Sequence, residues 1–146
     1  MEDETVRLSL KLFVVFSKAF QAVEKQVIKN IRSFGLNLTE FAVLELLYHK
    51  GDQPIQKIGQ KVLLASSSIT YVVDKLEEKG LLQRKPCATD RRVIYASLTD
   101  DGKKLLDKIF PKHQEAMTEI MGGLTDEEKK WMIQYLKKLG LHAERL

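Results

Sequence analysis

The sequence predicts a mainly α fold carrying one small β-hairpin, and three observations predict it. Apolar residues recur at helical spacing over most of the chain. The stretch from Leu81 to Leu98 reads instead as two extended runs around a polar turn. Glycine and proline are few, 8 and 3 in 146 residues, and Gly35, Gly51, Gly80 and Gly122-Gly123 fall where one periodic segment gives way to the next.

The first segment runs from about Thr5 to Phe34 and stops at Gly35, a natural residue just past a helix end. Its apolar residues (Leu8, Leu10, Leu12, Phe13, Val14, Val15, Phe16, Phe20) are too many for one face. A surface helix needs a stripe about 100° wide, whereas Leu12 through Phe16 go nearly all round. A second copy of the chain is the simplest cover for the other side. A helix follows over Leu38–Tyr48, with Thr39 as the expected N-cap and Phe41, Leu44, Leu47 and Tyr48 on one face. Pro54 opens a short helix with Ile55, Ile58 and Val62 facing in. The next helix begins at Ser66-Ser67-Ser68 and runs through Lys79 to Gly80, with Ile69, Val72, Val73 and Leu76 as its buried stripe. Leu81–Lys85 and Val93–Leu98 form the hairpin. Thr99 is a second N-cap candidate, and two last helices cover about Asp101–Met121 and Asp126–His142. No internal repeat or low-complexity segment is present.

At 146 residues and 44% apolar content, the chain suffices for one domain with a real core. The net charge of +4 is modest, so the position of the charge matters more than its sum. The acidic start Glu2-Asp3-Glu4 is unlike a secretory leader, and no apolar run approaches the roughly 20 residues of a membrane helix. A cytoplasmic protein without membrane contact is expected. Cys87 is the only cysteine, so no intrachain disulfide forms. His49, His113 and His142 stand far apart in the sequence with no metal-ligand spacing, and neither an enzyme nor a cofactor is expected.

The helix before Gly80 has an unusual outer face. Ser67, Ser68, Thr70, Tyr71 and Lys75 lie opposite its apolar stripe. Short hydroxyls, an aromatic ring and a lysine are poor core material and suit a surface that approaches phosphates and base edges. Ser66 belongs to this group and is equally a candidate N-cap. The hairpin that follows carries Arg84 and Lys85 on one strand and Arg91-Arg92 at its tip. An arginine is drawn to the negative potential of a narrow minor groove. Asp90, an odd neighbour for DNA, is expected to orient an arginine fork. Helix–turn–helix followed by a two-stranded wing is a way to hold a duplex in two grooves at once. The rival is a winged helix used for protein–protein contact, which has little reason to expose both a polar helix N-terminus and a doubly basic wing tip.

The run Phe41–Leu82, then Asp90-Arg91-Arg92 and Leu98-Thr99-Asp100-Asp101-Gly102, resembles the MarR family of bacterial transcription regulators. That family's wing pattern is D-x-R, a strand, and L-T-x-x-G. The resemblance covers nearly the whole chain and implies a winged helix-turn-helix with N- and C-terminal dimerisation helices. It implies a single domain over 1–146, with a DNA-binding lobe at 36–102 and a helical dimerisation lobe at 1–35 and 103–146. The implied function is a homodimeric repressor on double-stranded DNA with a pseudo-palindromic operator. Arg92 matches the family's wing arginine, and Arg91 occupies a variable position.

The resemblance also implies release by a small phenolic inducer or by cysteine oxidation, and it is closest to the branch that responds to quinones and hydroquinones. The family's peroxide-sensing cysteine lies in the first helix, where this chain has none. Cys87 sits in the wing after Lys85-Pro86, where nearby cations would lower its pKa. The implied ligand pocket lies between the dimerisation helices and the DNA-binding lobe. Phe13, Phe16, Phe20, Phe41 and Tyr48 are candidates to line it, and at helical spacing they also read as plain core.

Overall fold

The computed structural model describes residues 3–62 and 69–146. Among them the order is α1 (Glu4–Arg32), α2 (Leu38–Lys50), β1 (Gln53–Pro54), α3 (Ile55–Lys61), α4 (Ile69–Glu78), β2 (Leu82–Pro86), β3 (Ile94–Leu98), α5 (Asp100–Ile120) and α6 (Asp126–Glu144). The mainly α class with a small hairpin wing is the architecture observed. None of the described helices is long and apolar enough to cross a membrane.

The N-cap expected at Thr39 lies two residues earlier, at Asn37. The Asn37 side chain accepts from the Glu40 N–H at 2.8 Å, and the Glu40 carboxylate accepts from the Asn37 N–H at 3.0 Å. This reciprocal box needs a three-residue offset to a Glu or Gln, which Asn37 has and Thr39 lacks. Glu40 is buried, and Lys79 just past the end of α4 pairs with it at 2.8 Å, so one carboxylate caps α2 and ties down the end of α4.

The sheet has one strand more than the expected hairpin. Its order is β1-β3-β2, antiparallel throughout, with Gln53 opposite Ala96 and Arg84 opposite Ala96 on the other side. A two-residue strand is too short to show alternation in sequence, and Pro54 fits it because β1 is an edge.

The core lies where α2, α3, α4 and the sheet meet. Leu44, Ile58, Val73, Leu76, Leu82 and Ala96 are fully buried in it, joined by Ile31 from α1 and by Leu106 and Ile109 from α5. The stripe expected on α4 holds: Val72, Val73 and Leu76 are buried and Ile69 packs against them.

One junction fixes the helix, the wing and α5 together. Gly80 ends α4 at φ +73°, its N–H bonding to Glu77 O and that of Leu81 to Leu76 O, the paired closure that needs a left-handed residue. The Thr99 hydroxyl donates to Gly80 O at 2.6 Å and accepts from the Gly102 N–H at 3.0 Å, while the Thr99 N–H donates to Leu81 O. Thr99 thus caps α5, as expected, and staples it to the end of α4. Gly102 lies so close that a Cβ there would meet Leu81 O at 2.1 Å.

A second junction ties α1, α2 and α5. His113 Nδ1 on α5 donates to Asn30 Oδ1 on α1 at 2.9 Å, and its ring lies 4.6 Å from that of Phe41 on α2. Burial pushes the His113 imidazole below its ordinary pKa, with Glu45 opposing. Tyr48 Oη donates to Asp107 Oδ1, and this bond raises the phenol's pKa.

Away from these junctions the helices are bare. Leu8, Leu12, Phe13, Phe16 and Phe20 on α1 are 43–70% exposed, and α6 buries no residue at all. Exposed apolar surface of this extent marks an interaction face.

Replacing Gly102 with Ala should destabilise the fold by about 1–3 kcal/mol, because backbone must move to admit the methyl group. Gly123→Ala, where nothing lies within 4 Å, should leave stability nearly unchanged. Thermal melts of the two variants check this, and equal melting temperatures would contradict the packing described.

Candidate nucleic-acid interface

The outer face of α4 is built as its period dictates. With Val72, Val73 and Leu76 inside, Thr70, Tyr71 and Lys75 face out. Tyr71 is 59% exposed, a large aromatic left in a polar surround. Lys75 Nζ stands 5.4 Å from the Tyr71 ring centroid and 3.7 Å from Glu78, so the ring and the ammonium share one patch. Ser66, Ser67 and Ser68, expected at the start of this helix, lie outside the described residues.

At the wing tip Asp90 holds Arg92. The Arg92 backbone N–H donates to Asp90 Oδ1 at 3.0 Å, Nε donates to the same oxygen at 3.1 Å and Nη2 donates to Oδ2 at 3.3 Å. These bonds hold the Asp90 carboxyl below the usual carboxylate range. The Arg92 side chain is 90% exposed, so the pair orients the guanidinium without burying it. Arg91 beside it is exposed and Lys85 projects from β2 into solvent.

Cys87 stands at the base of this tip, half-buried. Its Sγ lies 3.4 Å from Thr89 Oγ1. The thiol's pKa is lowered, first by the Thr89 hydroxyl, then by the backbone N–H groups of Thr89 and Asp90, while the Asp90 charge opposes. The direction is the one expected from the sequence, but hydrogen bonding supplies it rather than the cations Arg84 and Lys85.

Arg84 is engaged elsewhere. Its Nη1 donates to Glu77 and its Nη2 to Asp74, each at 2.6 Å. The fork lies against the flank of α4, a placement that the grouping of Arg84 with the free wing cations does not anticipate. Asp74 and Glu77 are absent from the residues that the sequence singles out, because nothing local in the sequence shows which way a cation on the following strand points.

The five candidate pocket aromatics separate into two places. Phe13 and Phe16 line an open apolar cleft of about 590 Å³ between α1 and α6, with Leu12, Leu136 and Leu139. Phe20 is 54% exposed further along α1. Phe41 is buried in the core against Phe34 and His113, and Tyr48 packs on Phe110. The structure does not gather them round one space, because Phe41 and Tyr48 face the α5 side of α2. His49 and His113, distant in sequence, flank the same Phe110 ring, and among the described residues no cluster suited to a metal ion occurs.

Comparison with known proteins agrees with this arrangement. The model of the MarR family matches residues 36–94, from just before α2 to the first residue of β3. The HTH-type transcriptional regulator MhqR of Bacillus subtilis is 55% identical over 137 residues, covering 94% of each chain. The crystal structure of AbsC, a MarR family transcriptional regulator from Streptomyces coelicolor, superposes with a TM-score of 0.83 at 19% identity over 100% of this chain and 99% of its own. The structure of reduced AbfR bound to DNA superposes with a TM-score of 0.73 at 25% identity, over 98% of this chain and 99% of its own.

Proposed function

The chain belongs to the MarR family and is a DNA-binding transcription regulator; from that premise we propose that it is a homodimeric repressor of a pseudo-palindromic operator, released by a quinone-class electrophile or phenol. The observation that carries the reading is the exposed Tyr71–Lys75 face of α4 lying next to a wing whose tip presents Arg91 and an oriented Arg92. In this reading α4 enters the major groove. Ser66, Ser67, Ser68, Thr70, Tyr71 and Lys75 supply contacts to base edges and phosphates, and the wing arginines reach the minor groove. Asp90 acts by aiming Arg92 rather than by touching DNA.

Dimerisation is supported by the bare faces of α1 and α6. A helix of 19 residues with no buried residue has little tertiary packing to hold it, and helices gain most of their stability from such packing. A second copy placed on α1 and α6 removes Phe13, Phe16, Leu136 and Leu139 from water together. Sedimentation at micromolar concentration should then give twice the 16.8 kDa chain mass. A folded monomer would sink the dimer.

The wing assignment is tested by salt dependence. Arg92→Ala should weaken binding to operator and to unrelated duplex alike and should reduce the salt slope by about 0.9, since one phosphate is no longer neutralised. Substitutions at Thr70 or Tyr71 should instead change preference among operator variants, by about 1–3 kcal/mol for a good base contact. Unchanged binding by Arg92→Ala across a salt series would show that the wing does not meet DNA.

Two sources of inducer response are distinct in chemistry. An electrophile at Cys87 would modify the wing and needs the thiol, whose lowered pKa favours attack. A phenol in the apolar cleft beside Phe13 and Phe16 needs none. Cys87→Ser should resist release by a benzoquinone in a gel shift if the thiol is the sensor. Equal release of the variant and the wild type makes Cys87 a bystander and a thiol-independent ligand pocket the better reading.

A further inference from the structure

We propose that Arg84 is a positioning residue, a strut that locks the wing to the recognition helix α4, and not itself a contact to DNA. The proposal rests on the reading of α4 and the wing as the DNA-binding surface.

Strand geometry comes first. Along β2, Leu82 is buried, Gln83 exposed, Arg84 half-buried and Lys85 exposed. Side chains alternate across a strand, so Arg84 leaves on the inner side with Leu82, towards α4, while Lys85 leaves on the outer side. Arg84 stands mid-strand, opposite the fully buried Ala96. Its guanidinium then reaches Asp74 and Glu77, one turn apart on α4, with a separate terminal nitrogen for each. Both ends of the fork are occupied, and lysine cannot reproduce that bracket.

Electrostatics points the same way. Asp74 and Glu77 place two negative charges on the helix that must meet a polyanion, a cost to binding that a surface serving charge alone would not carry. A phosphate approaching Arg84 would meet both carboxylates as well. The arrangement is favourable overall if a fixed angle between α4 and the wing outweighs that repulsion. Base readout and wing contact must be made simultaneously, and a small misplacement of one element loses the other. The three side chains are 30–53% exposed, so the bracket adds little to global stability, and its value lies in orientation.

The test compares wild type, Arg84→Gln, Arg84→Lys and the double variant Asp74→Asn/Glu77→Gln. Each is titrated, across a salt series, against a labelled promoter fragment of its own gene and against a scrambled duplex of equal length. Thermal melts accompany the titrations. The strut predicts that the double variant, although two charges less negative, loses about tenfold in preference for the promoter, the scale of one good base contact. It binds the scrambled duplex as tightly as wild type or tighter. Arg84→Gln should lose the same preference with an unchanged salt slope, Arg84→Lys should not restore it, and adding Arg84→Gln to the double variant should cost nothing more. If Arg84→Gln does not fold, the double variant, which keeps the arginine, decides alone. The proposal is overturned if the double variant binds both duplexes more tightly with its preference intact. It is equally overturned if Arg84→Gln lowers the salt slope by about 0.9 on both, the signature of a phosphate that Arg84 had neutralised. Wild type that does not prefer the promoter would overturn the DNA-binding reading, and the strut with it.

Discussion

The Thr99 hydroxyl is the constraint on which the DNA-facing part of the molecule depends. One side chain accepts from the first turn of α5 and donates to the carbonyl of Gly80 just past the end of α4, so the recognition helix, the base of the wing and α5 share an origin. The bond closes only because Gly80 turns left-handed and Gly102 lets the helix backbone lie on Leu81 O. This gives a physical reason for the spacing Leu98-Thr99-x-x-Gly102. The cap must be a hydroxyl residue because a hydroxyl can accept and donate at once, whereas an ionised Asp only accepts. Glycine must stand three residues on because no Cβ fits.

From that origin α5 runs for 21 residues, about 32 Å at 1.5 Å per residue, past α2 and along α1. Asp107 takes the Tyr48 hydroxyl, and His113 meets Asn30 and Phe41 further along. The wing is therefore continuous with a helix that also packs on α1, the helix that forms one wall of the apolar cleft. A ligand in the cleft alters DNA binding only so far as it favours one angle between these helices over another, since a ligand shifts an equilibrium by its differential affinity alone.

Much of this is legible in the sequence because it is periodic or local. The stripe Ile69, Val72, Val73 and Leu76 fixes the inner face of α4, and Thr99 announces its helix by residue type alone. Asn37 escapes notice as a cap because Thr39 is also a capping residue, and the partner three positions on is what separates them most clearly. β1 is invisible because two residues carry no period. The Arg84 bracket is hidden because a cation on a strand looks the same in sequence whether it points to solvent or to the flank of a helix. Residue type groups Phe41 and Tyr48 with Phe13 and Phe16, and only the packing shows that α2 turns its aromatics toward α5 and away from the cleft. Cys87 illustrates a right direction with a wrong cause, since its neighbours in space are the Thr89 hydroxyl and two backbone N–H groups rather than the basic residues before it.

That the wing, the recognition helix and α5 move as one body is the claim most open to direct measurement. Native-state hydrogen exchange of the Leu81, Thr99 and Gly102 amides, followed against low denaturant, reports whether the Thr99 junction opens by itself or with the core. One body requires these three amides to exchange at the free energy, and with the denaturant dependence, of the buried amides of Val73 and Leu76. Exchange through a low-energy, denaturant-insensitive opening while Val73 and Leu76 stay protected would contradict it.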